Sequence, residues 1–291
     1  MTESTLVYFH TYRTNVKERW KNKSLVDILE YEFRTRTREY FIEAIESVDY
    51  IKHIVHMHEP QVPKIHVIAH EEEYWVIHKP AGVPCHPTGG YREYSVTRKL
   101  FGDKKVACVN RLDMPVSGVL IITFENFKNN MMKISEAEKI YVAKVEGEFP
   151  DYVDCQERIF CEEGRRRFVS ERGKECQTLF KKIEYKNGYS LVECKPITGR
   201  THQIRIHLQS LGFSIVNDYI YGNYTKEENT FKKDCTSKCE EDPVYNCVLR
   251  NCKGENNRGF ELRDKHICLH AYAYKFNNVW YKADWPEWTK L

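Results

Sequence analysis

Asp113 and Arg111 are the residues with which this chain could do chemistry. They sit two apart in Val109-Asn110-Arg111-Leu112-Asp113-Met114-Pro115-Val116-Ser117-Gly118, so on an extended backbone both side chains project to the same side. Pro115 and Ser117-Gly118 punctuate a turn directly after them. Val119 to Ile122 follows as a short, β-branched apolar run, suited to a buried strand. A carboxylate is thus held on a loop at the mouth of a buried strand, where scaffolds carry reactive groups. Asp also caps turns for purely structural reasons, and this stretch by itself supports either role.

Three other segments carry residues able to join it. Thr198-Gly199-Arg200-Thr201 turns into a helix starting near His202, with Arg205 one turn in, Gln209 on the same side, and Leu208 and Leu211 on the apolar face. Such a helix N-terminus offers backbone donors to phosphate. Arg205 is the candidate partner for Asp113, since a nearby opposite charge favours the ionised carboxylate. Lys139 to Glu148 alternates as a strand with one wet face, and it places Tyr141 opposite Ile140 and Val142, where an ordinary core aromatic would also fit. Lys79 is the cation of the Lys79-Pro80-Ala81-Gly82 turn, and a solvated turn residue is its plain alternative.

The densest basic cluster is Gly164-Arg165-Arg166-Arg167-Phe168, with Arg158, Arg172 and Lys174 nearby. Cations interleaved with an aromatic suit phosphate contact and base stacking; a solvated hairpin tip would look the same.

The elements that position these residues divide the chain in two. Residues 1–62 form a small unit, with Ser24 capping a helix that carries Asp27 in its first turn. Leu25, Ile28, Leu29 and Phe33 make that helix's stripe. A second helix spans 38–47, a short strand lies near 51–55, and Glu59-Pro60-Gln61-Val62-Pro63 is the linker. Residues 63–291 are strand-rich: 66–70, 74–77, 106–109, 119–122 and 139–148 read as strands. So do 177–185 with 189–196 about a Lys186-Asn187-Gly188 turn, and 267–276 with 279–281. Helices are expected at 96–100 and 125–137, and Asp284 to Trp288 as a docking tail. Residues 223–258 form a polar insertion loop.

Composition sets the bounds. The 291 residues are 41% apolar and 30% charged, an ordinary globular balance, and the net charge of +3 requires any basic surface to come from clustering. No run approaches the length of a membrane span, and Met1-Thr2-Glu3-Ser4 lacks the pattern of a secretory or mitochondrial leader. Eleven cysteines without such a leader are expected to be reduced thiols of the cytosol or nucleus, with Cys108, Cys194 and Cys268 acting as small hydrophobes. Cys235, Cys239, Cys247 and Cys252 could hold zinc, but their spacing is looser than paired CxxC motifs and the reading without metal is preferred.

The Arg111-Leu112-Asp113 stretch resembles the catalytic motif of the RluA-type pseudouridine synthases, His-Arg-Leu-Asp followed by a Thr-Ser-Gly turn. Lys79-Pro80-Ala81-Gly82, Glu138-Lys139-x-Tyr141, Thr198-Gly199-Arg200-Thr201-His202-Gln203-Ile204-Arg205 and Leu269-His270-Ala271 resemble its other motifs, in order. His56-Met57-His58-Glu59-Pro60 resembles a segment of the eukaryotic tRNA-modifying branch. The resemblance implies an α+β catalytic domain with a mixed, mainly antiparallel sheet flanked by helices and loops. The helix–helix–strand order of residues 1–62 resembles an S4-type RNA-binding module, although the glycine turn after the second helix is absent and a helical cap is the alternative.

It implies an RNA isomerase that needs no cofactor or metal. Asp113 would be the catalytic carboxylate, Tyr141 the residue packed on the target base, and Arg205 the partner of Asp113. Arg111 would reach phosphates or fill the gap left by a flipped base. Further RNA contacts are expected from Lys79, Asn110, Arg200 and His202, and from Arg165, Arg166 and Arg167. The substrate would be tRNA at position 32, with ribosomal RNA as the alternative, and the protein a monomer. Asn110 and Val116 stand where the family has His and Thr; altered RNA contacts are expected. A catalytically silent RNA binder and a zinc-stabilised adaptor are the competing readings.

Overall fold

The computed structural model describes residues 6–11, 17–32, 37–46, 54–59, 62–88, 91–124, 138–162, 166–222, 246–247 and 266–291. The chain divides into two compact units: Met1–Gln61 with Lys226–Glu261, and Val62–Thr225 with Leu262–Leu291.

In the first unit, β1 (Leu6–Thr11) is followed by α1 (Leu25–Glu32), α2 (Arg38–Glu46) and β2 (Ile54–Glu59). Ser24 caps α1 as expected: its hydroxyl accepts the Asp27 N–H at 3.2 Å and donates to the Asp27 carboxylate at 2.6 Å. Of the expected stripe, Leu29 is buried while Leu25 stays exposed, and Phe33 lies outside the described residues. The strand foreseen at 51–55 runs instead over Ile54–Glu59, because it pairs antiparallel along all of β1, Leu6 opposite Glu59. Glu59 is therefore buried sheet and not linker. Asn246–Cys247 (β13 in chain order) pairs parallel with β2, a strand within the stretch expected to be loop.

The second unit is built on a ten-stranded sheet. Its strands are β3 (His66–His70), β4 (Tyr74–Lys79), β5 (Ala107–Cys108), β6 (Ser117–Thr123), β7 (Lys139–Glu146), β8 (Tyr152–Cys155), β11 (Thr178–Lys186), β12 (Tyr189–Pro196), β14 (Leu269–Phe276) and β15 (Val279–Lys282). The order is β3-β4-β6-β14-β7-β12-β11-β8, with β5 on β6 and β15 on β14. Only the β6–β14 pairing is parallel among the described strands of this sheet, so the sheet is mixed and mainly antiparallel. A separate hairpin joins β9 (Ile159–Glu162) to β10 (Arg166–Val169). The helices are α3 (Val96–Phe101) and α4 (Gln203–Ser210); the helix expected at 125–137 lies outside the described residues.

Val119, Leu120, Ile121 and Ile122 of β6 have no exposed surface. Alternate members feed two apolar clusters, one on each face of the sheet, and each such side chain contributes about 1.5–3 kcal/mol over exposure. β7 departs from the expectation of one wet face. Ala143 and Val145 are buried on one face and Val142 on the other, while Lys144 and Glu146, on the Val142 face, are less covered. The β11–β12 hairpin turns at Asn187 and Gly188, with φ of 54° and 80°, as a two-residue turn twisted to match its strands requires. Gly118 has φ of 118°, and a Cβ there would run into the Ala271 carbonyl. Only glycine lets β6 and β14 meet where the Asp113 loop ends.

Candidate active site

The Asp113 loop is fastened on every side. Val109 N–H bonds Ile121 O at 2.9 Å, Gly82 N–H bonds Met114 O at 2.8 Å, and Ile267 N–H bonds Pro115 O at 3.1 Å. The Cys85 thiol meets both backbone groups of Leu112, at 3.3 and 3.4 Å. Two residues expected to touch RNA belong to this scaffolding. Lys79 is fully buried and donates to the carbonyls of Pro80, Val83 and Met114 at 2.8, 2.7 and 3.1 Å, so it ties two turns together and is not presented to phosphate. Burial pulls its pKa down to about 8. Asn110 is buried too. Its amide donates to Val119 O at 3.1 Å and accepts from Ile121 N–H at 3.0 Å, so it replaces a peptide group in the ladder while lining the cleft. Arg111, in contrast, is exposed.

Asp113 is partly exposed and meets Arg205, as expected: Nη1 donates to Asp113 Oδ2 at 2.9 Å. The rest of that guanidinium is taken by a residue the sequence reading missed. Arg205 Nε and Nη2 donate to the two oxygens of Asp218 at 2.7 and 2.8 Å, and both residues are buried. Burial opposes the Arg205 charge, but the two carboxylates outweigh it and hold its pKa above the ordinary value. Tyr221, also missed, lies under the guanidinium at 5.0 Å and shares a 2.8 Å hydrogen bond with His202 Nδ1. The other His202 nitrogen is 3.6 Å from Asp113 Oδ2, and burial lowers the imidazole pKa. No local pattern singles them out: Asp218 and Tyr221 lie thirteen and sixteen residues beyond Arg205, past the end of α4.

The turn before α4 is fixed by Gln203. Its carbonyl accepts from the Thr198 hydroxyl at 2.8 Å and the Arg200 N–H at 2.9 Å, and its amide donates to Gln177 O at 2.9 Å. His202 takes a left-handed backbone, φ 60°, which turns its ring toward Asp113 and Tyr221. Arg200 is exposed and bonds the Glu175 carbonyl at 3.2 and 3.1 Å. Asp113, Arg111, Tyr141, Arg200, His202 and Arg205 line one cleft of about 650 Å³. Burial and nearby acidic groups push the Tyr141 hydroxyl pKa up, so it stays a neutral phenol. Arg166 and Arg167 lie on β10; the Arg167 charge is near enough to add to the burial that lowers the His202 pKa and to oppose the burial that raises that of Tyr221. Arg165 is outside the described residues.

Cys235, Cys239 and Cys252 also lie outside them, as does the Cys247 side chain, and no group among the described residues could hold a metal ion. The seven described cysteines are free thiols. No helix among the described residues is long and apolar enough to cross a membrane.

The profile of the RNA pseudouridylate synthases matches residues 73–210. The chain is 35% identical to the tRNA pseudouridine(32) synthase, mitochondrial, of Saccharomyces cerevisiae, covering 97% of this chain and 76% of that one. It is 28% identical to the tRNA pseudouridine(31) synthase of the same yeast, covering 98% and 94%. Among solved structures, human RNA Pseudouridylate Synthase Domain Containing 1 superposes with a TM-score of 0.53 at 19% identity, over 77% of this chain and 84% of that one.

Proposed function

The chain belongs to the RNA pseudouridylate synthase family, and from that premise we propose that it isomerises a uridine of tRNA with Asp113 as the catalytic carboxylate. The observation that carries this reading is the Arg205 bridge, which aims the Asp113 carboxylate into the cleft from a buried base. Pseudouridine formation breaks the bond between uracil N1 and the sugar, rotates the base and joins its C5 to the same sugar carbon. The C5 proton leaves and N1 gains one, so the reaction is redox-neutral. A carboxylate next to the sugar and base serves this chemistry, and a base in folded RNA must first be extruded. Tyr141 lines the cleft as a neutral aromatic surface on which the loosened uracil is kept. Arg111, exposed beside Asp113, is the residue that occupies the vacated stack or a phosphate. Arg166, Arg167 and Arg200 extend the RNA surface, and the N-terminal unit is an S4-like RNA-binding module by itself.

The yeast relatives are named for positions 32 and 31 of tRNA. With the His56 to Pro60 segment, that favours tRNA position 32 over ribosomal RNA. A loop uridine is also already partly unstacked, which lowers the cost of flipping. The silent-binder reading rested on Asn110 and Val116. Both are buried and both line the cleft, but the paired Asp113 and Arg205 are retained, and an active Asp113 is the better-supported reading. Free thiols fit cytosol or nucleus for a monomeric enzyme, and the first relative's name adds the mitochondrion.

Mapping pseudouridine in tRNA and rRNA transcripts incubated with the purified chain tests the substrate. A single modified tRNA uridine is expected; modification confined to rRNA would overturn it.

A further inference from the structure

The cleft contains a cation that the reaction just described does not use. Lys139 opens β7 and projects to the same side as Tyr141, two residues and therefore about 7 Å along the strand. It lines the same cleft. Its Nζ stands 3.9 Å from where a Cβ on Gly199 would be, so the ammonium faces the turn that opens α4.

At this end of the sheet two other lysines share one carboxylate. Lys195 and Lys275 take one Glu138 oxygen each, at 3.1 and 2.9 Å. Lys139 has no carboxylate partner among the described residues; the ring of Tyr274, 5.5 Å from its Nζ, is its neighbour. Burial lowers its pKa with no opposing charge to offset the effect. A cation withdrawn from water without a counter-charge is unfavourable, and an arriving anion would relieve it. The turn facing it has no side chain at Gly199, so nothing larger than backbone stands against the ammonium on that side.

We propose that Lys139 binds the RNA phosphodiester beside the target uridine. The inference rests on the reading of the cleft as a uridine-isomerising site. With the base against Tyr141, the neighbouring position on the same strand face receives the nucleotide's backbone. A lysine suits a phosphate as a point charge.

The test uses the full chain and a tRNA transcript, comparing wild type, Lys139→Gln, Lys139→Met and Lys139→Arg. Binding is measured against salt concentration, and turnover against RNA concentration. Lys139→Gln should raise KM roughly tenfold, leave kcat within about threefold, and make the slope of log affinity against log salt shallower by about 0.7–1. Lys139→Arg should restore both. Lys139→Met keeps the apolar stem against Tyr274 and gives the same readout should the glutamine variant not fold. An unchanged salt slope and KM in the neutral variants would overturn the proposal. A wild type that binds tRNA but forms no pseudouridine would instead overturn the reading of the cleft, and the salt slope would still decide the role of Lys139.

Discussion

Arg205 reaches Asp113 with one nitrogen at 2.9 Å and gives its other edge to Asp218 at 2.7 and 2.8 Å. The two carboxylates differ in their surroundings: Asp218 is fully buried, and 26% of the Asp113 side chain is exposed. Asp218 thus anchors a cation whose free end orients the Asp113 carboxylate. Removing one partner of a buried pair leaves the other charge uncompensated, so Asp218→Ala should lose about 3–5 kcal/mol of stability. Asp218→Asn should fold but lower kcat at least tenfold with little change in KM. Denaturant melts and single-turnover rates check both statements.

Lys79 gives a pH signature. Its folded pKa of about 8 lies below the ordinary 10.5. Below pH 8 the ammonium is charged in both folded and unfolded chains, and the burial penalty is present in full. Between pH 8 and 10.5 the folded chain has released a proton that the unfolded chain still holds, so stability from this group rises with pH. Relative to Lys79→Met, wild type should gain roughly 3 kcal/mol across that window, read from urea midpoints at each pH. A difference that stays flat contradicts the assignment.

His202 predicts an acid limb. Burial holds its pKa below the ordinary 6.5, against the opposing pull of Asp113 and Asp218 and with the support of Arg205 and Arg167. It is therefore neutral at pH 7, and turnover should stay level until the pH falls below the usual imidazole range. There the protonated ring, beside Asp113 Oδ2, ties up the carboxylate. His202→Gln should lack this limb in a rate profile taken at pH 5–8; an identical limb in the variant would rule His202 out as its source.

Gly118 predicts a steric failure. A methyl group there meets the Ala271 backbone, and the residue's φ of 118° is strained for any side chain. Gly118→Ala should lower stability by more than about 3 kcal/mol or prevent folding, measured by thermal denaturation.

Much of the second unit was legible because its strands announce themselves locally. Val119 to Ile122 is an uninterrupted apolar run with three β-branched residues of four, and Asn187-Gly188 is a turn that few other sequences can make. The Asp113–Arg205 pairing was legible from charge and helical position. What the sequence hid is set by tertiary context. Lys79 and Asn110 have side chains suited to RNA, but neighbouring backbone carbonyls and strand edges claim them, and nothing local reveals that. Asp218 lies thirteen residues beyond Arg205, and its role appears only when the turn after α4 folds back. β1 was missed because its partner β2 is more than forty residues away, and the face of β7 was misjudged because nothing local shows that Val142 is covered there.

Asp113 is the residue proposed to perform the isomerisation. The most direct measurement is tritium release from tRNA carrying C5-tritiated uridine, since the C5 proton must leave when the new carbon–carbon bond forms. Wild type should release tritium in proportion to the pseudouridine formed. Asp113→Asn should bind the same tRNA with similar affinity and release none. Release by Asp113→Asn at a rate near wild type would contradict the account.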